Sequence, residues 1–278
     1  MEYIIEKNKI IIPSPKDFNI KHICECGQMF RYDDKITNFV VKSSKYEAIV
    51  YKNDKKSAII ESNHIKYYEK YFDLTTDYGI IKAELMKTPI LKKAISFGSG
   101  IRIAKQELLE MIISFIISAN NNISRIKRTI NLLCASFGQK CDNYFAFPTL
   151  QALQQVTKKD FDKFGCGYRS QYLVDTIKNL SYDKLENFVC ADDCTCKAEL
   201  LKLKGVGEKV ADCIMLFGLG RKKVFPVDVW MSRVCDEYFD LKNKSLLQKS
   251  KIMCERFGDL SGYAQQYLFY YKREMKEK

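Results

Sequence analysis

Residues Leu203 to Arg233, LKGVGEKVADCIMLFGLGRKKVFPVDVWMSR, constrain this chain more than any other stretch. Gly205 and Gly207, one residue apart, allow a tight backbone turn that residues with a β-carbon resist. Apolar residues run up to the turn at Leu200, Leu201 and Leu203. An apolar face resumes after Lys209 at helical spacing through Val210, Cys213, Ile214 and Phe217. The pattern is helix, hairpin, helix. Such a turn leaves backbone N–H groups free at the start of the second helix, where a phosphate can sit. A loop from Gly218 to Phe225 then reaches Pro226-Val227-Asp228-Val229. The proline holds the chain extended, and Asp228 is placed to cap a helix running through Met231, Val234, Cys235 and Tyr238.

By itself this stretch supports three readings. It could be a buried αα-hairpin in which Lys209 is solvated and Asp228 is only a cap. It could be a phosphate-gripping DNA module without chemistry. It could also carry an enzyme's lysine and aspartate. Composition narrows the partner but not the chemistry. The formal net charge is +12 and the pI about 9.0, which favours a polyanion. Lysine, isoleucine and asparagine are abundant throughout, as A+T-rich coding would give, so charge alone does not fix the partner. Eleven cysteines without an N-terminal signal segment point to a reducing cytoplasm, where DNA means the nucleoid of a bacterium. With only His22 and His64 present, multi-histidine metal sites are nearly excluded.

The first 62 or so residues alternate as strands do. Short β-branched or aromatic runs (Ile4-Ile5, Ile10 to Ile12, Phe39 to Val41, Tyr46 to Tyr51, Ser57 to Ile60) are punctuated by Asp33-Asp34, Ser43-Ser44 and Asn53-Asp54. That spacing predicts an antiparallel sheet. Cys26-Gly27-Gln28-Met29-Phe30-Arg31 reads there as a turn glycine entering a strand. His22, Cys24 and Cys26 lack a fourth ligand at a sensible spacing, so they predict no metal site. The break Phe97-Gly98-Ser99-Gly100 separates this β-rich part from an α-rich remainder. The expected architecture is α+β, with an N-terminal antiparallel β-sheet domain with helices over 1–98, one of them around Ile80 to Met86, and a helical domain over 99–278. In the latter the hairpin occupies about 200–217 and a terminal helix about 261–277.

Gln106 to Ala119 is apolar almost all round, too short to span a membrane and interrupted by Glu107 and Glu110; it predicts a buried central helix. Asn120-Asn121-Asn122 follows as a turn and cap before Ile123-Ser124-Arg125. Further helices are expected around 126–137, 150–156 and 170–180, with the glycine-rich Phe164-Gly165-Cys166-Gly167-Tyr168-Arg169 between the last two. In the terminal helix Gln265 and Phe269, four apart, share a face. Apart from the charged tail Lys272 to Lys278, no repeat or low-complexity segment is present.

Taken together, GVGEKVAD, FPVDVW, GQ-x-FR at Gly27, NNN-I-x-R at Asn120 and G-aromatic-AQ-x-x-LF at Gly262 resemble the helix-hairpin-helix glycosylase superfamily, in its 8-oxoguanine DNA glycosylase branch. The motifs run from Gly27 to Phe269 in the family's order. The resemblance implies that Lys209 is the nucleophile of a bifunctional glycosylase and AP lyase, and that Asp228 is its essential carboxylate. It implies that the Gly27 carbonyl accepts the N7–H that distinguishes 8-oxoguanine from guanine. Gln265 would read the Watson–Crick edge, Phe269 would stack on the ring, and Cys213 would line the base pocket. Asn120 and Arg125 would contact the opposite cytosine, with Tyr168 as a wedge and Arg169 as a second opposite-base reader. Gly205 and Gly207 would grip DNA backbone. The implied partner is double-stranded DNA containing oxidised guanine, met by a monomer without membrane association.

The resemblance implies no required cofactor and allows a structural monovalent cation at the hairpin. The iron–sulfur cluster of endonuclease-III-like relatives follows the catalytic aspartate. Only Cys235 and Cys254 follow Asp228, so that cluster cannot form, and Cys190, Cys194 and Cys196 read as ordinary thiols. Trp230 departs from the pattern, because the oxoguanine family often has histidine there. A glycosylase for another damaged base on the same fold, or a non-catalytic DNA-binding protein, are the alternatives; the first of these without a lysine is disfavoured by Lys209. Chemically, a lysine amine attacks C1′ of a flipped nucleotide only when neutral, and the positive end of a helix dipole disfavours the ammonium. The resulting Schiff base permits β-elimination of the 3′ phosphate, while a carboxylate stabilises positive charge developing on the sugar.

Overall fold

The computed structural model describes residues 1–51 and 57–275. The turn expected at Asn53-Asp54 and the last three residues of the charged tail lie outside the described residues. Among the described residues six strands form one antiparallel sheet: β1 (Ile4–Glu6), β2 (Lys9–Ile12), β3 (Tyr32–Asp34), β4 (Asn38–Ser43), β5 (Tyr46–Tyr51) and β6 (Ala58–Glu61), in the order β1-β2-β6-β5-β4-β3. Burial alternates with period two along β4, where Phe39, Val41 and Ser43 are buried and their neighbours are not. The register pairs Ile10 with Ile60 and Ile12 with Ala58, so buried residues meet buried residues.

Two expectations for this region need correction. Asp33-Asp34 is strand rather than turn: both pair with β4 at the sheet's edge, where charged side chains stay in water. Between β2 and β3 the chain forms a helix, α1 (Ile20–Glu25), started by the Asn19 side chain accepting from the backbone N–H of Lys21 and His22. Six residues carry too little periodicity to show in a β-rich background, so the cap is the only local signal.

Three helices follow, α2 (Ile65–Tyr71), α3 (Tyr78–Leu85) and α4 (Pro89–Phe97). The Gly98-Ser99-Gly100 break is packed rather than a free linker. Gly100 O accepts from Asn19 N at 2.9 Å, and a β-carbon on Gly100 would lie 2.3 Å from that of Asn19. The chain then runs through α5 (Leu108–Ser118), α6 (Ile123–Phe137), α7 (Leu150–Leu153), α8 (Lys158–Lys163), α9 (Arg169–Lys178), α10 (Tyr182–Cys190), α11 (Asp193–Leu201), α12 (Glu208–Gly218), α13 (Val229–Tyr238), α14 (Leu246–Phe257) and α15 (Ser261–Glu274). Packing groups these into two compact units that do not follow a cut near residue 98. One comprises 1–41, 47–105 and 221–278; the other comprises 42–46 and 106–220.

In the second unit, α5 is buried from Glu110 to Ile117 and packs most extensively on α12, as its all-round apolar sequence predicts. Glu110 is tolerated inside because its Oε2 accepts the Ser44 N–H at 2.9 Å. The first unit is held by the segment Ile101 to Ala104. The fully buried Arg102 guanidinium donates to the carbonyls of Phe72, Asp17, Asp73 and Thr76, and lies 4.0 Å over the Tyr78 ring. Beside it the buried Asp73 accepts from Thr76, Tyr78 and, at 2.7 Å, from Lys105.

Lys222 belongs to the same unit. Its Nζ is buried without a hydrogen-bond partner, 5.3 Å from the Tyr263 ring centroid. Burial pulls its pKa down to about 8, against the attraction of Asp73. The unfolded chain therefore holds a proton that the folded one releases near pH 8, so this residue's penalty is full below that pH and fades as the pH rises toward the ordinary lysine value. Lys222→Met should raise unfolding free energy at pH 7 by on the order of 2–3 kcal/mol, and the gain should shrink toward zero near pH 10. Urea unfolding at several pH values checks this; a gain independent of pH would show that the ammonium is not penalised.

Candidate active site

The residues singled out in the sequence fall into two groups, one in each unit. In the unit of residues 106–220 the hairpin joins α11 to α12. Gly205 takes φ +80°, and a β-carbon there would lie 3.0 Å from that of Tyr172 and 3.2 Å from Ile116 Cγ2, so both conformation and space require glycine. Thr176 Oγ1 donates to Lys204 O at 2.8 Å and fixes the turn from outside. Gly207 differs from the expectation. It caps α12 in an extended conformation open to any residue, and a β-carbon would point into open space. Its bareness matters only to something approaching from outside.

Lys209 lies in the first turn of α12, half-buried, with Nζ 5.3 Å from the centroid of the Phe115 ring. Phe115 stacks in turn on Phe217, with centroids 5.5 Å apart and planes inclined by 15°. Cys213 follows one turn later, buried. The sequence reading missed Lys197 of α11, which pairs with Asp212 at 2.7 Å and Glu208 at 3.0 Å and ties the two hairpin helices together. Burial lowers its pKa, but the two carboxylates outweigh that and leave it raised.

The asparagine turn lies in the same unit. Asn122 caps α6, its side chain accepting from Arg125 N at 2.9 Å, and Asn120 takes φ +49°. Asn120 and Arg125 are exposed, and Tyr168 is 56% exposed at the start of α9. Arg169 does not project outward as a reading arm would. It is 5% exposed, donates to the carbonyls of Ala119, Asn120 and Cys166, and lies 4.5 Å over the Tyr168 ring.

The other unit gathers Gly27 and α15. Gly27 takes φ +82°, and a β-carbon there would fall 2.8 Å from Phe269 Cε1, so the glycine backbone and the phenylalanine ring are in contact. Gln265, one turn before Phe269, is buried and its Oε1 has no hydrogen-bond partner. An unsatisfied buried amide is costly unless a ligand completes it. Asp228 is half-buried and caps α13, its Oδ1 accepting from Met231 N at 2.8 Å, as the sequence predicts. Trp230 lies beside the exposed Arg233, whose guanidinium is 5.3 Å from its ring.

Residues 10–112 match the 8-oxoguanine DNA glycosylase N-terminal domain, and residues 113–257 match the HhH-GPD superfamily of base excision DNA repair proteins. A curated N-glycosylase/DNA lyase of Saccharomyces cerevisiae is 31% identical over 266 residues, covering 83% of this chain and 71% of the yeast protein. The chain belongs to the 8-oxoguanine glycosylase/lyase family. A crystal structure of the Clostridium acetobutylicum 8-oxoguanine glycosylase/lyase, in complex with double-stranded DNA containing cytosine opposite 8-oxoguanine, is similar at TM-score 0.93 and 38% identity, covering 99% of each chain. The 3-methyladenine DNA glycosylase of Archaeoglobus fulgidus, at TM-score 0.77 and 18% identity over 95% of this chain, shares the fold.

Within this glycosylase family member, the cysteines are individually buried or scattered. Burial pushes the Cys26 thiol up to about 11 and those of Cys166 and Cys235 to about 12, which keeps them protonated and unreactive. Among the described residues no group of three or more His, Cys, Asp or Glu could hold a metal ion, and no helix is long and apolar enough to cross a membrane. The two hairpin glycines should separate experimentally. Gly205→Ala should cost about 1–3 kcal/mol of stability through its left-handed backbone and crowding. Gly207→Ala should cost less than about 1 kcal/mol, the scale of exchanging glycine for alanine at an N-cap, yet weaken duplex binding in a filter or anisotropy assay. Equal stability losses in both variants would contradict the assignment of Gly207 to an external contact.

Proposed function

We propose that the chain excises 8-oxoguanine from duplex DNA and then cleaves the strand, with Lys209 and Asp228 carrying the chemistry. The observation that supports the base assignment best is the contact of Gly27 with Phe269, on the same helix as the buried, unpartnered Gln265 amide. A backbone carbonyl, a ring and an amide suit the Hoogsteen edge, face and Watson–Crick edge of one flipped purine. Gln265 and Phe269 treat guanine and 8-oxoguanine alike, so discrimination falls to the Gly27 carbonyl, which can accept only from a base that carries an N7–H.

In this reading the neutral Lys209 amine forms a bond to C1′ as the C1′–N9 bond breaks and its electron pair leaves with the base. Loss of protons from nitrogen and opening of the sugar ring give the Schiff base. Removal of a C2′ proton then expels the 3′ phosphate. The Asp228 carboxylate stabilises positive charge building at the sugar, and its capping bond to α13 keeps it in one rotamer. Cys213, one turn past Lys209, lines the base pocket. Asn120 and Arg125 read the opposite cytosine and Tyr168 wedges the stack. Arg169 serves opposite-base reading through the Asn120 turn that it holds. Gly205 and Gly207 present the start of α12 to a phosphate. A monovalent cation at this turn would be held by backbone carbonyl oxygens of the hairpin and would supply positive charge beside a DNA phosphate; no step of the chemistry depends on it.

Borohydride should trap the protein covalently on 8-oxoguanine duplex, and Lys209→Gln should abolish trapping while duplex binding persists. Trapping that survives the substitution would move the nucleophile elsewhere. Asp228→Asn should keep its helix cap and its melting temperature, because asparagine caps as well as aspartate. Its single-turnover excision should nevertheless fall by about 100-fold or more, the scale of losing one electrostatic stabiliser. Full activity in a folded Asp228→Asn variant would reduce the aspartate to a cap.

A further inference from the structure

A carbonyl that discriminates two bases by one hydrogen bond must point in one direction, yet Gly27 is the residue type least able to hold its own backbone still. The flanking atoms have to do it. Gly27 directly follows the end of α1, whose last carbonyls have no partners within the helix. Two of them are taken by side chains of α15. Gln266, 2% exposed, donates from Nε2 to Cys26 O at 2.5 Å, and Arg273 donates from Nη2 to Glu25 O. Arg273 is braced by Glu274 Oε1, 3.1 Å from Nε and 2.7 Å from Nη2. Its Nη1 is buried without a partner, 3.5 Å from where a Gly27 β-carbon would stand. On the other side of the glycine, the buried Gln28 side chain donates to Ile23 O at 3.0 Å and Arg102 O at 2.8 Å, and accepts from Ala104 N at 2.8 Å. None of these bonds uses the Gly27 carbonyl itself.

Gln266, Phe269 and Arg273 stand at i, i+3 and i+7 of one helix and so form one stripe facing the end of α1. We infer that Gln266 and Arg273 are positioning residues that aim the Gly27 carbonyl at the base's N7–H. This rests on the reading of Gly27 as that acceptor. The consequence is that α15 carries both halves of base selection: Gln265 and Phe269 hold the purine, and the adjacent stripe fixes the atom that tells its oxidised form from guanine. Simple satisfaction of a helix end is the competing explanation, and it makes a different prediction. It would affect stability and all DNA binding together, whereas positioning affects only the preference for one base.

The test uses the full chain carrying Lys209→Gln, so that DNA is bound but not cut. Dissociation constants are measured for three duplexes: 8-oxoguanine opposite cytosine, guanine opposite cytosine, and a tetrahydrofuran abasic analogue that presents no base. Adding Gln266→Met or Arg273→Met should lower the preference for 8-oxoguanine over guanine by about fivefold or more, the worth of one misaligned hydrogen bond. Affinity for the abasic duplex should stay within about twofold of the parent, since no base contact is at stake. Arg273→Lys, which keeps a donor for Glu25 O, should restore most of the preference. Should a methionine variant fail to fold, Gln266→Asn, whose amide is one methylene too short, provides the same comparison. Equal loss on all three duplexes, or an unchanged preference in folded variants, would overturn the positioning role. A parent protein without preference for 8-oxoguanine would instead show that the reading of Gly27 fails, and the proposal would fall with it.

Discussion

Burying a guanidinium without a carboxylate against it is expensive unless every donor is occupied, and the first unit is built around one such group. Arg102 comes close, directing four of its five N–H donors to backbone carbonyls and lying over the face of Tyr78. Those bonds fix the 72–76 turn and the stretch at Asp17. The main chain of the same short segment fixes the rest: Arg102 O and Ala104 N hold Gln28, Ile103 N donates to Tyr78, and Ile101 O accepts from Tyr267 of α15. Burial lowers the pKa of Arg102, and in return its segment holds Gln28 on one side of Gly27 and Tyr267 of α15.

The two sets of candidate residues solve different physical problems. The hairpin needs rigid backbone at one point and bare backbone at the next. Gly205 is confined by Tyr172 and Ile116, while Gly207 faces open space, and the ion pairs of Lys197 keep α11 against α12. The Gly27 group needs a flexible residue type made inflexible by its surroundings. Its backbone conformation excludes side chains, its contact with Phe269 excludes volume, and α15 supplies the hydrogen bonds that the end of α1 lacks. Arg169 belongs to the same pattern. It donates to two carbonyls of the asparagine turn, Ala119 and Asn120, and to Cys166 O beside its own helix, so the exposed Asn120 is presented by a braced backbone rather than a loose loop.

Much of the local structure was legible from neighbours in the chain. The apolar run at 108–118 is the buried helix it predicts, Asp228 and Asn122 are caps, and the period-two runs are strands, because each signal lies within one element. Asp33-Asp34 misled because a charged edge strand and a turn have the same composition. The six residues of α1 were missed because they make fewer than two turns, too few for a helical periodicity to show. Lys197, Gln266 and Arg273 carried no signal at all: each acts on a partner in another element, and in isolation each is an ordinary polar residue of an amphipathic helix.

The sequence by itself determined the helix-hairpin-helix, the sheet, the family and the identity of the candidate lysine and aspartate, since these depend on residue type and spacing along the chain. Only the tertiary structure decided that residues 221–278 pack in one unit with 1–41 and 47–105, while 42–46 and 106–220 form another. It alone brought Gly27 against Phe269, buried Arg169, and assigned the carbonyls of Glu25 and Cys26 to a helix some 240 residues further along the chain. The physical reason is that a hydrogen bond's worth depends on burial and direction, and neither exists until distant segments have packed.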